Sequence, residues 1–255
     1  MTVIREGSSG EDVRILSTKL GLTPRTICDE ELVEAICSYQ KAYGFTVDGS
    51  FGYECWKNLL VNERISDNPS GKILDTDYTL FSWLLGCEPE TLKAFVSIES
   101  GGFFLRSGRP VIQFDPYLFW KEIGDRPNTP PDIISKTPVT DYPGGDKEWI
   151  KLGKAIRISK VAAYNSTRWG FLMIQGSKYQ ETGEKSVIDF VSKVSKDEFS
   201  QFSVGLEYMR SNKVTTFLIS KDFKNLARAF NGPSYSKDKI DLKLKAEYYR
   251  LKVQK

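Results

Sequence analysis

The sequence contains no histidine among its 255 residues. This absence excludes catalytic triads of the Ser-His-Asp or Cys-His kind, metal sites built on imidazole, and a histidine general base. Any catalytic chemistry must therefore use carboxylates, hydroxyls, amides or lysine side chains.

Cysteine is also scarce, and no long apolar run is present. The four cysteines form no CxxC pair, which favours buried free thiols over a disulfide or zinc framework; they are Cys28, Cys37, Cys55 and Cys87. No stretch approaches the roughly 20 apolar residues of a membrane helix, so we expect no stable membrane insertion. The first residues, M-T-V-I-R-E-G-S, lack the basic-then-apolar order of a signal sequence. We therefore expect synthesis in the cytoplasm.

The composition is that of an ordered globular protein. Hydrophobic residues make up 40% of the chain and aromatic residues 13%, which fits one large or two unequal domains. Residues 1–68 carry 7 Lys and Arg against 11 Asp and Glu, whereas the remaining residues carry 29 against 22. A cationic second part suits an anionic polymer such as cell wall, although solubility alone explains it as well. Nucleic-acid binding is not expected, because no stacking or groove-reading motif accompanies the charge.

The N-terminal residues predict a small helical module. A first helix follows the cap-like Ser8-Ser9-Gly10-Glu11, a second runs from about Glu30 to Tyr43, and a third passes through Trp56. Three motifs stand out in this module: R-E-G-S-S-G-E-D-V, Y-Q-K-A-Y-G-F-T-V-D-G-S-F-G and C-W-K-N-L-L. In these motifs the module resembles the peptidoglycan-binding domains of cell-wall hydrolases, which implies wall binding. We predict this domain at residues 1–65, a polar linker at 66–74, and a second domain at 75–255.

One short helix in the second domain carries an acid on its apolar face. In P-E-T-L-K-A-F-V-S-I-E-S-G-G, Glu99 continues the stripe formed by Leu92, Phe95 and Val96. Burial and the negative end of the helix dipole both raise the pKa of a carboxyl placed there, so that it can act as a general acid. The alternative is that Glu99 simply turns outward at a fraying helix end.

The residues after this helix predict a hairpin and a second acid. F-F-L-R-S-G-R-P-V-I-Q-F-D has a Ser107-Gly108 turn between apolar arms and ends at Asp115. Residues 124–146 predict a long loop, and helical patterns dominate the remainder. The predicted fold class is mainly α, with a three-helix module followed by an α+β domain that holds one small hairpin or sheet. A helix that ends in an acid and is followed by a small hairpin resembles lysozyme-type enzymes, which implies a lysozyme-like catalytic domain.

Four motifs occur in order: I-E-S-G-G, R-P-V-I-Q-F-D-P-Y-L-F, W-G-F-L-M-I-Q-G and A-R-A-F-N-G-P-S-Y. Together they resemble the N-acetylmuramidase domain of modular bacteriophage endolysins. The resemblance implies that Glu99 is the catalytic acid and that Asp115 is a second catalytic acid, where the family commonly has Glu. A cap for the turn before Pro116 is the structural alternative for Asp115.

The resemblance also implies a set of substrate-binding residues: Ser100, Trp169, Gly170, Met173, Gln175, Asn231 and Tyr235. Met173 departs from the family pattern, because it occupies the position where a Gln is usual, and this puts an amide contact in doubt. Three arginines are further candidates to face anionic groups of the substrate, with a solvated surface as the alternative for each: Arg106, Arg109 and Arg168.

The implied reaction is hydrolysis of the β-1,4 bond between N-acetylmuramic acid and N-acetylglucosamine. Glu99 would protonate the leaving oxygen, while Asp115 would orient a water or stabilise the developing positive charge. The expected partner is bacterial peptidoglycan, the expected state a monomer, and neither a metal nor an organic cofactor is required. Synthesis in a bacterial host and release onto the wall are expected. Two alternatives stay open: a lytic transglycosylase that forms 1,6-anhydro products, and a non-catalytic wall-binding or virion protein.

Overall fold

The computed structural model describes residues 2–253. Residues 1, 254 and 255, which fall at the ends of the two predicted domains, lie outside the described residues. The chain divides into two compact units, Met1–Ser70 and Gly71–Lys255. No helix in the described part is both long and apolar enough to cross a membrane.

The first unit consists of three helices: α1 (Glu11–Lys19), α2 (Glu30–Ala42) and α3 (Tyr53–Asp67). Asp29 caps α2, because its carboxylate accepts the backbone N–H of Leu32 at 3.1 Å. The helix α3 continues to Asp67, whereas the polar composition predicted a linker from residue 66. The unit's core combines side chains from the helices and the turns between them: Ile4, Val13, Leu16, Cys28, Leu32, Ile36, Phe51, Cys55 and Trp56.

The buried side chain of Gln40 holds the turn between α2 and α3 by hydrogen bonds. Its side chain is 2% exposed. The Nε2 group donates to Asp48 Oδ1 at 2.8 Å and to the Ser50 carbonyl at 3.0 Å. The Oε1 atom accepts the backbone N–H groups of Asp48 and Gly49, both at 3.1 Å. One amide therefore fixes the glycine-rich turn that leads from α2 to α3.

The second unit is mainly helical. Two helices precede the first strand of its sheet, α4 (Asp75–Leu85) and α5 (Pro89–Glu99), and three short helices lie between the first and second strands: α6 (Pro116–Ile123), α7 (Asp146–Ile156) and α8 (Lys160–Asn165). The remaining helices lie after the sheet and are α9 (Val187–Val194), α10 (Glu198–Ser211), α11 (Val214–Ser220), α12 (Phe223–Asn231) and α13 (Ile240–Val253). Short 3-10 segments occupy Pro131–Ile133, Gly176–Thr182 and Gly232–Ser236. The predicted fold class, mainly α with one small sheet, is confirmed.

The sheet has three antiparallel strands in the order β1-β2-β3. They are β1 (Ile112–Phe114), β2 (Thr167–Trp169) and β3 (Ile174–Gln175). The predicted hairpin around Ser107-Gly108 is only partly formed. Its arms meet at an isolated bridge between Phe104 and Pro110. Two hydrogen bonds flank the bridge, from the Leu105 N–H to the Arg109 carbonyl at 2.8 Å and from the Val111 N–H to the Phe103 carbonyl at 3.1 Å. The ladder ends there because the Val111 carbonyl accepts the Gly170 N–H at 2.8 Å, and β1 pairs with β2, more than 50 residues away in sequence.

The predicted loop at 124–146 is anchored rather than free. Ile133 is buried, and Glu148 of α7 is fully buried with both of its carboxylate oxygens occupied. Glu148 Oε2 accepts the Phe114 N–H at 2.9 Å, and Oε1 accepts the Gly144 N–H at 3.1 Å. This acid therefore ties the end of the loop to strand β1.

We predict that Gln40→Ala destabilises the first unit selectively. The substitution leaves two backbone N–H groups and two oxygens without their partner, which lowers the free energy of opening by about 1–3 kcal/mol. Hydrogen–deuterium exchange of peptides from α1–α3 measures this change in the full chain. Gln180→Ala, at an exposed position of the second unit, is the matched control. Unchanged protection of α1–α3 in Gln40→Ala would contradict the role of the amide.

Candidate active site

Helix α5 ends with Glu99 at the edge of the core. Leu92, Phe95 and Val96 are buried, and Glu99 follows on the same stripe in a half-buried position. Ser100 ends the helix by donating its N–H to the Val96 carbonyl at 3.0 Å. The next residue, Gly101, donates its N–H to the Phe171 carbonyl at 3.1 Å. The helix end is therefore tied to the turn between β2 and β3, and the predicted helix over this stretch is confirmed.

The Glu99 carboxyl opens into a cleft of about 510 Å³. Its Oε1 atom accepts a hydrogen bond from Asn231 Nδ2 at 2.7 Å. Burial raises the pKa of Glu99, and the Asn231 hydrogen bond opposes this effect only in part. Among the residues of the described chain that line the cleft, Glu99 is the only carboxylate. The site therefore presents a single acid that stays protonated nearer to neutral pH than an ordinary glutamate.

Asn231 is held in place from its own helix. It is the last residue of α12, and its Nδ2 group also donates to the Ala227 carbonyl at 3.2 Å. Close by, the ring of Phe230 packs edge-on against Phe95 of α5 with centroids 5.2 Å apart. The carboxyl and the amide therefore meet because the ends of α5 and α12 pack together.

The sheet forms one side of the cleft. Gln113 of β1 lies opposite Arg168 of β2, which in turn lies opposite Gln175 of β3. All three side chains line the cleft, and the Arg168 Nη1 group donates to Gln113 Oε1 at 3.1 Å. Side chains on the other face of the sheet are buried, as the two-residue period of a strand requires; they are Ile112, Phe114, Thr167, Trp169 and Ile174.

The other side of the cleft comes from α10 and the 3-10 segment before α9. Tyr208 and Asn212 of α10 line the cleft together with Lys178. The Lys178 Nζ atom lies 3.4 Å from Glu181 Oε1, and Asn212 Nδ2 donates to Glu181 Oε2 at 2.8 Å. Burial raises the pKa of the Tyr208 hydroxyl. This wall is therefore polar, with its lysine already paired to a carboxylate.

Two glycines of the W-G-F-L-M-I-Q-G motif are required by close packing. A Cβ at Gly170, where φ is +69°, would lie 2.7 Å from Gln201 Oε1. A Cβ at Gly176 would lie 2.0 Å from the Tyr164 carbonyl oxygen, which a backbone cannot accommodate. Between them Met173 adopts a left-handed conformation with φ of +49°, and its side chain lines the cleft beside Gly101.

Asp115 lies away from the cleft lining, and its contacts correspond to the capping alternative. Its side chain caps α6, because Oδ1 accepts the N–H groups of Tyr117 at 3.0 Å and Leu118 at 3.1 Å. The Tyr142 hydroxyl donates to Oδ2 at 3.0 Å. Asp115 is 6% exposed and is absent from the residues that line the cleft. This placement argues against the predicted catalytic role.

Of the seven predicted substrate-binding residues, the structure brings Met173, Gln175 and Asn231 into the cleft. Ser100 faces a different depression, and its hydroxyl accepts the Gly102 N–H at 3.0 Å. Trp169 is 1% exposed and donates its indole N–H to the Tyr164 carbonyl. Gly170 is buried in the sheet turn. The fourth residue outside the cleft lining is Tyr235, a half-buried side chain of the Gly232–Ser236 segment.

The three candidate arginines differ in their position relative to the cleft. Arg106 is exposed, and Arg109 is exposed with its guanidinium over the Trp149 ring at 5.5 Å; only Arg168 lines the cleft. The sequence analysis did not predict that Gln113 lines the cleft. Its position as a polar residue between two apolar residues of a predicted strand could have indicated this. No comparable signal marked Tyr208 or Asn212, which lie on a helix far along the chain. Within residues 2–253, no group of three or more Cys, Asp or Glu side chains is arranged to hold a metal ion.

Comparisons with known proteins place this site within a family. The family model for N-acetylmuramidases matches residues 88–252. This chain belongs to the N-acetylmuramidase family. At the level of the family, the chain is a glycoside hydrolase that acts on peptidoglycan. The matched range contains Glu99, all three strands and Asn231, and it leaves the first unit unmatched.

A solved structure has a similar fold along nearly the whole chain. The crystal structure of the Burkholderia AP3 phage endolysin superposes with a TM-score of 0.66 at 24% sequence identity, and the match covers 98% of each chain. No curated protein sequence matches this N-acetylmuramidase family member.

We predict that Asp115→Asn retains activity within about tenfold, whereas a catalytic base or charge-stabilising carboxylate would lose about 10²- to 10⁴-fold. Asn keeps an oxygen that can accept the Tyr117 and Leu118 N–H groups but carries no charge. Asp115→Ala removes the cap as well and should lower the free energy of unfolding by about 1–2 kcal/mol. Wall-clearing rates and denaturant unfolding of both variants test this. Loss of activity in a stably folded Asp115→Asn protein would restore the catalytic assignment.

Proposed function

We propose that this protein is an endolysin that hydrolyses the β-1,4 bond between N-acetylmuramic acid and N-acetylglucosamine, with Glu99 as the general acid. The observation that carries this proposal is the Glu99 carboxyl, half-buried in the cleft with a pKa raised by burial. A general acid needs its proton at the working pH and access to the leaving oxygen. Burial of Glu99 favours the first condition, and its place in the cleft lining supports the second.

Protonated Glu99 donates its proton to the glycosidic oxygen as the bond to the sugar breaks and an oxocarbenium-like centre develops. The leaving group departs as a neutral hydroxyl, and Glu99 becomes a carboxylate. The Asn231 N–H group, 2.7 Å from Oε1, then stabilises the new negative charge. Asn231 therefore supports the acid after proton transfer as well as orienting it beforehand.

A water then attacks the oxocarbenium-like centre, and its proton passes to the solvent or to the Glu99 carboxylate, so no second carboxylate in the lining of the cleft is needed. Gln113 and Gln175 present amides from the sheet, and these groups can hydrogen-bond a water or the substrate's own acetamido groups. Asp115 acts as the cap of α6 in this proposal. The roles predicted for Ser100, Trp169, Gly170 and Tyr235 become structural.

The endolysin assignment extends to the whole chain. The similar Burkholderia AP3 structure is described as a phage endolysin, and the first unit has the motifs of peptidoglycan-binding domains. We place wall binding in the first unit, as a compact helical module of residues 1–65, and cleavage in the second. The protein would be made in a bacterial host, function as a monomer on peptidoglycan, and act on the wall after release. Nucleic acid is not a partner in this proposal.

A lytic transglycosylase is the second candidate, and one observation favours it. Glu99 is the only carboxylate that lines the cleft among the described residues, and a transglycosylase needs no activated water because the substrate's own hydroxyl attacks. The products separate the two reactions. Hydrolysis yields reducing N-acetylmuramic acid ends, whereas transglycosylation yields 1,6-anhydro ends, and mass spectrometry of digested wall distinguishes them. Anhydro ends alone would rule out hydrolysis.

We predict that Glu99→Gln loses wall-degrading activity by about 10²- to 10⁴-fold, because the amide is nearly the same size but has no proton to donate. Zymography and release of soluble muropeptides measure the loss. Glu122→Gln, which removes an exposed acid from α6, is the matched control and should retain full activity. Activity of Glu99→Gln near the wild-type level would exclude Glu99 as the acid and leave a wall-binding or virion protein as a candidate.

We predict that Asn231→Ala moves the alkaline limb of the pH–activity profile to higher pH. The Asn231 N–H group lowers the pKa of Glu99 against the effect of burial, so its removal raises that pKa and keeps the acid protonated further into the alkaline range. The pH dependence of kcat/KM measures the midpoint. Asn212→Ala removes a cleft amide that contacts Glu181 and not Glu99, and its midpoint should stay in place. A downward shift in Asn231→Ala would contradict the assignment.

A further inference from the structure

The charges in the cleft do not balance. Two cations line it, Arg168 and Lys178, against the single acid Glu99. Lys178 is paired with Glu181. Arg168 forms no ion pair with any carboxylate in residues 2–253, although it is half-buried. Among the described residues the Arg168 guanidinium therefore has no carboxylate in direct contact, and Asp115 is linked to it only through the Tyr142 hydroxyl.

The Arg168 guanidinium is held in one place. It stands in the central strand between Gln113 and Gln175 and donates to the Gln113 side chain at 3.1 Å. The Tyr142 hydroxyl is a second neighbour, and it is itself fixed by its hydrogen bond to Asp115 Oδ2 at 3.0 Å. The loop at residues 124–146 therefore brings the Tyr142 hydroxyl to the sheet.

A guanidinium in this setting is suited to one kind of ligand. It has five N–H donors in a planar fork, and the contact with Gln113 occupies one of them. The remaining donors match the two oxygens of a carboxylate, and a preorganised fork loses little conformational entropy when it binds. A neutral sugar hydroxyl would leave the charge uncompensated in a partly dehydrated cleft.

We propose that Arg168 is a specificity-determining residue that binds a carboxylate of the peptidoglycan strand in the cleft. The inference rests on the proposed function, since it takes the cleft as the site of the glycan. Two parts of the strand carry this chemistry. One is the lactyl group of N-acetylmuramic acid where its peptide has been removed, and the other is the set of carboxylates on the peptide stem.

Binding to soluble glycan strands tests this directly. The protein is the full chain carrying Glu99→Gln to suppress turnover, either alone or combined with Arg168→Gln, Arg168→Lys or the matched control Arg106→Gln at an exposed position. The strands are used in three forms: with peptide stems, with stems removed so that lactyl carboxylates are free, and with all carboxylates converted to methylamides. Calorimetry gives the affinity for each pair, and circular dichroism checks the fold.

We expect Arg168→Gln to weaken binding of an anionic strand by about 10- to 100-fold, the effect of losing hydrogen bonds to a charged group. Methylamidation of the strand should weaken binding of the protein that retains Arg168 to the same level and should not affect Arg168→Gln further. Arg168→Lys should recover part of the affinity, and Arg106→Gln should bind like its parent. A loss confined to stem-bearing strands assigns the ligand to the stem, and a loss on trimmed strands assigns it to the lactyl group.

The inference would be overturned if Arg168→Gln bound every strand as tightly as the protein that retains Arg168, or if it lost the same affinity on native and on methylamidated strands. If Arg168→Gln fails to fold, equal affinity of the Arg168-containing protein for native and methylamidated strands has the same consequence. A failure of the proposed function would be seen in a different experiment. Full wall hydrolysis by Glu99→Gln would contradict that function, whatever residue stands at position 168.

Discussion

The hydrogen bond between Asn231 and Glu99 is the contact on which the site depends. It joins residues 132 positions apart, and it forms only when the ends of α5 and α12 pack together. Burial by that packing raises the pKa of the carboxyl, while the amide keeps the anion accessible. A group that is buried without any donor would have its proton held too strongly, and a fully solvated one would lose it well below neutral pH. At Glu99 burial has the larger effect and raises the pKa, and the Asn231 hydrogen bond opposes it.

The small sheet supplies what the helices cannot. A strand turns alternate side chains to opposite faces, so three short strands are enough to bury one row and expose another. The buried row includes Phe114 and Trp169 and anchors the sheet in the core. The other row, formed by the half-buried Gln113, Arg168 and Gln175, lines the cleft. Because strands are rigid elements, these polar groups hold fixed positions without needing a bound ligand.

Much of this arrangement could be predicted from sequence, and the failures have a common cause. The α5 prediction succeeded because apolar periodicity and a terminal Gly-Gly pair are local signals. The predicted hairpin forms only a short ladder, because the Val111 carbonyl accepts the Gly170 N–H and the partner of β1 lies beyond α8. For Asp115 the motif implied a catalytic role and the following Pro116 offered a capping role, and the catalytic role stays a prediction. In the structure its neighbours at Pro116 and Tyr142 make it a helix cap and an anchor for a loop. Motif position does not reveal which way a side chain turns.

The sequence by itself determined the chemistry available and the local elements. The missing histidines restricted catalysis to carboxylates and amides, and the stripe ending at Glu99 put an acid on a buried helix face. The tertiary structure decided which groups share the cleft. It brought Asn231 to Glu99, left Arg168 without a carboxylate partner, and removed Trp169 and Gly170 into the core. Periodicity reports only on neighbours within a few residues, whereas these contacts depend on chain segments that meet only after the whole unit has packed.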